Sequence, residues 1–277
     1  MTQAPIATRF LYLRADSPPP FAYAYPPPAG QAARGGDYDW VPAAVTDARP
    51  RVDTLSLDRE GFVLRRCPTA MPARADDAAI KAIYYPEVAA LLRSEMGASH
   101  VLVFDHTRRL AGAEPPAGMR EAVLRVHNDY TMRSAPQRVR DLLPAAQADL
   151  LLGQRWALVN AWRPLTRVVP RTPLAFCDAT TVRPEDFVAA ALIYPDRRGE
   201  TSSVVHSPHH RWAHFPAMAP DEVALFKCFD SDGRKACMTP HSAFDDPATP
   251  ADAPLRESIE VRALLFFAPE WARQTAA

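Results

Sequence analysis

The stretch "RESIEVRALLFF", Arg256 to Phe267, has the alternating pattern of a β-strand. Successive side chains of a strand point to opposite faces, so Arg256 and Ser258 share one face with Glu260 and Arg262. The other face is apolar and comprises Ile259, Val261, Ala263 and Leu265. A guanidinium beside a hydroxyl is a good receptor for a carboxylate. The pattern therefore predicts a strand with one face in a core and the other face suited to binding an anion.

Seven short segments that precede this strand also have β character, and they are separated by turn residues. These segments are "HVLVFDHTRRL" (100–110), "RWALVNAWRPL" (155–165), "PLAFCDATTV" (173–182), "DFVAAALIYP" (186–195), "TSSVVHSP" (201–208), "RWAHFPAM" (211–218) and "EVALFKCFDS" (222–231). Helical patterns cover 76–97, with one helix that begins at or near Pro86 and has Gly97 as a cap, and 135–152, with a break at Pro144. The prediction is an α+β, mainly β protein, an antiparallel sandwich or barrel with packed helices.

Composition favours a folded protein that acts on a small molecule. The 277 residues carry 32 basic and 32 acidic side chains, which argues against a nucleic-acid surface or an electrostatic membrane anchor. Four cysteines without C-x-x-C spacing favour free thiols in a reducing cytoplasm, and neither a signal peptide nor a membrane span is expected. We expect one domain over 1–277 with a proline-rich arm over about 1–50; the oligomeric state stays open.

The triplet His127-Asn128-Asp129 suggests a metal site. In a strand, His127 and Asp129 point to the same face and can hold one ion together. Two histidines and one carboxylate form the facial triad of non-haem iron(II) oxygenases, which leaves coordination positions open. The third ligand must come from elsewhere in the chain. The candidates are His241 in "MTPHSAFDDP" and His210 in "HSPHHRWAHF".

Several further residues are candidates for a binding site. Either Arg256 with Ser258, or Arg262, can anchor a carboxylate. Asn160 in "NAWRP" can hydrogen-bond a co-substrate, and Lys227, in the middle of an apolar strand, either snorkels to solvent or binds an acid. Three residues are candidates for a substrate pocket: His210 and Trp212, which share parity, and Arg163.

Taken together, H-x-D, a distant His and R-x-S resemble the iron(II)/2-oxoglutarate oxygenases. The blocks "VHNDYT", "NAWRPL", "PLAFCDATTV", "HHRWAHFPAMAPDEVALFKCFDS" and "PHSAFDDPATPADAPLRESIEVRALLFF" are similar, more narrowly, to a hydroxylase/desaturase group. This group includes GA4 desaturase, the aspergillic acid hydroxylase and the cephamycin C7-modifying component. As a set, the blocks are specific, and they cover most of the chain.

This resemblance implies a double-stranded β-helix, or jelly roll, with flanking helices. It further implies Fe(II) on His127, Asp129 and His241, 2-oxoglutarate on Arg256, and hydroxylation or desaturation of a secondary metabolite with O2. Two alternatives stay open: a non-catalytic barrel that binds a small molecule for a partner enzyme, and a cupin-like metal dioxygenase that does not use 2-oxoglutarate.

Overall fold

The computed structural model describes residues 4–111, 116, 118–165 and 171–268. Its strands, in chain order, are β1 (Ile6–Leu13), β2 (Phe21–Tyr23), β3 (Arg34–Gly35), β4 (Tyr38–Asp47), β5 (Phe62–Arg66), β6 (His100–Ala111), β7 (Arg120–Glu121), β8 (His127–Asn128), β9 (Trp156–Pro164), β10 (Leu174–Cys177), β11 (Phe187–Ile193), β12 (Arg198–Val204), β13 (Trp212–His214), β14 (Glu222–Asp230), β15 (His241–Ala243) and β16 (Arg256–Phe266).

These strands form two sheets. The larger sheet has the order β1-β4-β13-β10-β15-β8-β12-β11-β2-β3, and the smaller sheet has the order β5-β14-β9-β16-β6-β7. Two pairings in them matter for the site. His241 lies opposite His127 across β15 and β8, and Arg262 lies opposite Asn160 across β16 and β9. Each sheet therefore brings one pair of polar residues to neighbouring positions.

The helices lie where the sequence predicts them. They are α1 (Asp77–Ala79), α2 (Tyr85–Met96), α3 (Ser134–Leu142) and α4 (Ala145–Leu152), with a π-helical segment over Ile80–Tyr84 and short 3-10 turns at Arg49–Arg51, Ala179–Thr181 and Pro184–Asp186. Pro86 lies in the first turn of α2, and Gly97 ends the helix with a left-handed φ of 65°. Pro144 separates α3 from α4, since its ring cannot continue a helix.

A large apolar core joins the two sheets and the helices. The ring of Phe176 on β10 lies 5.2 Å from the ring of Phe226 on β14, so the sheets pack face to face there. A smaller second core, with Phe10 and Trp212 stacked at 3.9 Å, lies on the other side of the larger sheet. This mainly β architecture confirms the predicted fold class.

The first fifty residues contribute four strands to the larger sheet. β1 pairs with β4 over its whole length and also bridges back to the middle of the sheet, at Leu11 with Arg125 and at Leu13 with Val205. The larger sheet therefore curls around the second core. All four cysteines are free, and Cys177 and Cys228 are buried. In the described part of the chain, no helix combines the length and the apolar composition needed to cross a membrane.

Candidate metal and co-substrate site

His127, Asp129 and His241 come together where the two sheets meet. One potential ligand atom from each residue lies within 4.8 Å of the others. The two imidazole rings are 4.4 Å apart, and His127 Nε2 is 3.7 Å from Asp129 Oδ1. The pairing of β8 with β15 produces this arrangement, because residues directly opposite each other in an antiparallel pair project to the same face.

Backbone carbonyls fix the tautomer of both histidines. His127 Nδ1 lies 2.8 Å from the Arg125 carbonyl oxygen, and His241 Nδ1 lies 3.0 Å from that of Thr239. A carbonyl oxygen only accepts, so each Nδ1 carries the proton and donates it. Each Nε2 is left with a free lone pair. That of His241 is buried and has no hydrogen-bond partner among the described residues, as expected of an atom placed to bind a metal.

Asp129 is held through one of its two oxygens. Oδ2 accepts from Asn160 Nδ2 at 2.8 Å and from Arg262 Nε at 2.9 Å, and both donors come from the smaller sheet. Oδ1 faces His127 instead. The carboxylate therefore presents one oxygen to the histidines, while the other is occupied by two donors.

Burial and neighbouring charges set the protonation of this cluster. Burial, and then the nearby His241, lowers the pKa of His127 to about 4. Burial also lowers the pKa of His241. For Asp129, burial acts to raise the pKa, but Arg262 and the two histidines outweigh it, so the net pKa lies below its usual value. At neutral pH the cluster holds two neutral imidazoles and one carboxylate, the protonation states that metal ligands need.

Arg256 and Ser258 form a second polar pair, on β16. Both are buried, and the Arg256 guanidinium donates through Nη1 to the Thr172 carbonyl and lies 5.4 Å from the Trp162 ring centre. Arg256 Nε and Ser258 Oγ have no hydrogen-bond partner in the described part of the chain. Burial, followed by repulsion from Arg109, lowers the pKa of Arg256 to about 9, which still leaves it cationic at neutral pH. A buried cation with spare donors is suited to an anionic ligand.

Arg109, which the sequence analysis did not select, lies beside this pair. It is the register partner of Ser258 across β6 and β16, and its Nη1 donates to the Glu121 carbonyl at 2.9 Å. Burial lowers its pKa, and Glu260 opposes that effect. The signal in the sequence was the alternation of Asp105, Thr107 and Arg109 in "DHTRRL", which places three polar side chains on one face of a strand.

The structure corrects the assignment of Lys227 to co-substrate binding. Lys227 Nζ lies 2.6 Å from Asp58 Oδ1 and 2.5 Å from Asp230 Oδ2. Its neighbour Phe226 packs its ring against His241 at 4.6 Å, so Lys227 leaves β14 toward the opposite face. The lysine binds acids of the chain itself rather than a co-substrate.

His210 and Trp212 belong to the second core and not to the site. His210 accepts from the Tyr12 hydroxyl at Nδ1 (3.0 Å) and donates from Nε2 to Asp186 (3.1 Å), so both of its nitrogens are occupied. Trp212 donates to the same Tyr12 hydroxyl at 2.9 Å and stacks on Phe10. Their polar atoms serve the packing inside the curled sheet, so the structure does not bring these two residues to the metal cluster, and their role in a substrate pocket stays a prediction.

Arg163 is likewise directed away from the site. Its Nη2 donates to the Cys67 carbonyl at 2.6 Å, and its guanidinium lies 4.7 Å from the centre of the Tyr84 ring, next to α2. Asn160 takes the other face of β9 and holds Asp129, with its Oδ1 buried and without a partner among the described residues. Thus, of the residues predicted on β9, only Asn160 reaches the cluster.

Comparisons with known proteins agree with this geometry. Residues 9–266 match the family model described as an oxidoreductase/YMDC permease-like domain. The hydroxylase/desaturase efuI of Hormonema carpetanum is 35% identical over 256 residues, which cover 83% of this chain and 85% of that protein. The Fe(II)/2-oxoglutarate-dependent dioxygenase nvfI of Aspergillus novofumigatus is 32% identical over 253 residues, 88% of this chain and 90% of the relative.

A solved structure extends the likeness to the fold. The iron and alpha-ketoglutarate-dependent endoperoxidase NvfI superposes with a TM-score of 0.86 at 28% identity and covers 96% of this chain and 99% of its own. The jelly-roll core predicted from the resemblance is thereby confirmed.

Proposed function

The chain belongs to this oxidoreductase family, whose members include hydroxylase/desaturases and Fe(II)/2-oxoglutarate-dependent dioxygenases, and on that premise we propose how it works. His127, Asp129 and His241 hold Fe(II), while Arg256 and Ser258 anchor 2-oxoglutarate. The substrate is a small secondary metabolite, oxidised at a C–H bond by hydroxylation or desaturation. The reaction takes place in the reducing cytoplasm, as the four free cysteines favour.

One observation carries this proposal: one potential ligand atom from each of two histidines and one aspartate lies within 4.8 Å of the others. Two imidazoles and one carboxylate are the donor set of a facial triad, and they leave further positions open on a six-coordinate metal. The orphaned Nε2 of His241 supports the fit, since an unpaired buried acceptor is costly unless a ligand satisfies it.

The co-substrate anchor rests on the polar atoms of β16. 2-Oxoglutarate carries two carboxylates, and one of them can accept from Arg256 Nε and from the Ser258 hydroxyl, which lack partners among the described residues. Arg109, opposite Ser258, adds a second positive charge at the same place. The Trp162 ring beneath the guanidinium keeps Arg256 in position.

When bound, Fe(II) and 2-oxoglutarate would supply the oxidant: one oxygen atom of O2 would end in the succinate formed with carbon dioxide from 2-oxoglutarate, and the other either in a substrate hydroxyl or, with two hydrogens removed from the substrate, in water. The protein's own residues would position these two groups. Backbone carbonyls hold His127 and His241 in the metal-binding tautomer, and the buried ring of Phe226 packs against His241 and excludes water there.

The test is succinate release from 2-oxoglutarate in the presence of Fe(II) and O2, together with binding of Mn(II), which is stable in air. We expect His127→Ala, Asp129→Ala and His241→Ala each to abolish both. His210→Ala is the matched control: it removes a buried histidine whose nitrogens are already occupied, so metal binding should stay within about twofold while stability falls by about 1–3 kcal/mol.

The alternatives give different results. A metal dioxygenase that does not use 2-oxoglutarate would bind Mn(II) through the triad but release no succinate. A non-catalytic barrel would bind neither the metal nor 2-oxoglutarate. If His210→Ala abolished metal binding and His241→Ala preserved it, the choice of third ligand would be wrong.

A further inference from the structure

The guanidinium of Arg262 donates hydrogen bonds to four side chains of the protein. Its Nε donates to Asp129 Oδ2 at 2.9 Å, and its Nη2 donates to Glu260 Oε1 at 2.5 Å. Its Nη1 donates to Thr107 Oγ1 at 3.0 Å and to Asp105 Oδ2 at 3.3 Å. Each of the three nitrogens therefore has a partner in the chain, and the guanidinium is not available to a co-substrate carboxylate.

These partners hold the guanidinium plane in one orientation. Glu260 lies on the same strand face, two residues before Arg262, while Asp105 and Thr107 come from β6, the neighbouring strand. The side chain of Arg262 is 12% exposed, so water competes little for these bonds. Because both Nη atoms of the planar guanidinium are held by partners, its Nε–H points in one direction, toward Asp129.

Asn160 and Arg262 converge on the same oxygen of Asp129. They are register partners in β9 and β16, and their donors reach Oδ2 at 2.8 Å and 2.9 Å. Two donors on Oδ2 occupy the lone pairs through which that oxygen would otherwise bind a metal. A carboxylate held in this way keeps Oδ1 as its metal-binding atom, on the side where His127 lies.

We infer that Arg262, together with Asn160, is a positioning residue that restricts Asp129 to binding the metal through Oδ1 alone. This inference rests on the proposed function, because it takes Asp129 as a metal ligand. A carboxylate bound through one oxygen occupies one coordination position rather than two, and more positions stay open for 2-oxoglutarate and O2. Arg262 acts through Asp129 and does not touch the metal.

The chemistry of arginine explains why this position requires it. Lysine is a point charge with rotatable donors, so it can balance the charge of Asp129 but cannot bind Asp129, Glu260 and Thr107 in a fixed plane. Arg262→Lys therefore separates geometry from charge. Asn160→Ala removes the second donor without changing any charge.

The experiment measures Mn(II) and Co(II) binding to the full chain without 2-oxoglutarate. Free Mn(II) is followed by its electron paramagnetic resonance signal, and bound Co(II) by its visible absorption, which reports coordination number. Arg262→Lys and Asn160→Ala are compared with wild type, with the double variant, and with Arg155→Lys. Arg155 is the matched control because it holds the buried Asp230 through two nitrogens, and its carboxylate partners, Asp230 and Asp58, are not metal ligands.

We expect Arg262→Lys to weaken Mn(II) binding roughly 10- to 100-fold, the usual effect of losing a group that orients a metal ligand. Asn160→Ala should weaken it by a smaller factor. The double variant should lose less than the product of the two factors, because both donors act on one oxygen. The Co(II) spectrum should shift toward higher coordination number as Oδ2 becomes free to bind. Arg155→Lys should lower stability but leave Mn(II) affinity within about twofold.

Wild-type Mn(II) affinity and an unchanged Co(II) spectrum in both Arg262→Lys and Asn160→Ala would overturn the inference. An equal loss of affinity in Arg155→Lys would also overturn it, because the effect would then reflect general destabilisation. Failure of the proposed function gives a distinct result, since wild type itself would then either bind no Mn(II) or, with Fe(II) and O2, release no succinate from 2-oxoglutarate. If Arg262→Lys does not fold, Asn160→Ala and its Co(II) spectrum decide alone.

Discussion

At the scale of single residues, Arg256 and Arg262 have the same chemistry and different roles. They lie six residues apart on one face of β16, yet Arg256 Nε has no hydrogen-bond partner among the described residues, whereas Arg262 has a partner at every nitrogen. Strand parity predicted that both point the same way. It gave no means of choosing between them, because the carboxylates that occupy Arg262 include Asp105 and Asp129, more than 130 positions away in the sequence.

The Nε of Arg256, which has no hydrogen-bond partner in the described part of the chain, leads to a kinetic prediction. Arg256→Gln should raise the KM for 2-oxoglutarate roughly 10- to 100-fold, because a hydrogen bond to a charged group contributes about 1.5–3 kcal/mol. Ser258→Ala should raise it by a smaller factor, about fivefold, since it removes one neutral donor. Steady-state succinate formation at varied 2-oxoglutarate measures both values. Mn(II) affinity is the control and should not change in either variant; a KM that stayed at the wild-type value in Arg256→Gln would refute the anchor.

Of the proposed metal ligands, His127 and Asp129 were the most predictable, because H-x-D lies within three positions. The third ligand was harder to predict. His241 and His210 were both possible on the sequence alone, and only the pairing of β15 with β8 distinguishes them. The partners of His210, Tyr12 and Asp186, lie 198 and 24 residues away, so no local pattern indicated that its nitrogens were already occupied.

At the scale of elements, β14 shows how an apolar strand accommodates a charge. Lys227 has no exposed side-chain surface, and its ammonium is bound by Asp230, which is also fully buried, and by Asp58. Arg155 binds the same two carboxylates. The sequence left open whether Lys227 snorkels or binds an acid, because the loop carrying Asp58 lies 169 residues from it.

Removing this ammonium should destabilise the protein without changing its chemistry. Lys227→Met leaves Asp230 buried with only Arg155 opposite, and we expect a loss of roughly 3 kcal/mol, the lower end for a broken buried ion pair. Lys235→Met is the matched control: Lys235 binds the same Asp58 but is 28% exposed, so its loss should cost less than about 1 kcal/mol. Urea unfolding measures both. Equal costs would contradict the idea that burial makes the difference.

The strands of the N-terminal region show where sequence patterns were least informative. The first fifty residues are rich in proline and were predicted to form an extended arm, whereas β1 and β4 pair over eight positions. Pro42 lies inside β4, opposite Arg9. The pairing of β4 with β13 covers only Val45 to Asp47, so Pro42 lies outside it and its missing N–H costs no bond in that ladder. Central strands without proline, such as β14, were predicted correctly.

At the scale of the whole molecule, the buried histidines make the protein sensitive to acid. The pKa of His127 is lowered to about 4, mainly by burial, and burial also lowers the pKa of His241, His210 and His214. Unfolded histidines titrate near 6.5, so between about pH 6.5 and 4 the unfolded chain binds more protons than the folded one. Stability of the metal-free protein must therefore fall as the pH falls through this window, with His127 alone accounting for about 3 kcal/mol.

The same burial predicts how metal binding depends on pH, and the two effects can be measured together. A ligand histidine with an ordinary pKa would lose metal affinity once the pH fell below about 6.5, because protons compete for Nε2. In the folded chain burial lowers the pKa of both histidines, that of His127 to about 4, so Mn(II) affinity should fall much less between pH 7.5 and 5.5 than it would with exposed histidines. A free Mn(II) concentration of about 100 times the dissociation constant should then add about 2.7 kcal/mol to the free energy of unfolding at pH 7.5 and at pH 5.5. Urea unfolding with and without Mn(II) at pH 7.5 and 5.5 measures this, with His241→Ala as the control that gains nothing from the metal. If the Mn(II) effect vanished in wild type at pH 5.5 while the fold persisted, the histidines would titrate as exposed ones do, and the buried neutral cluster would be the wrong description of the site.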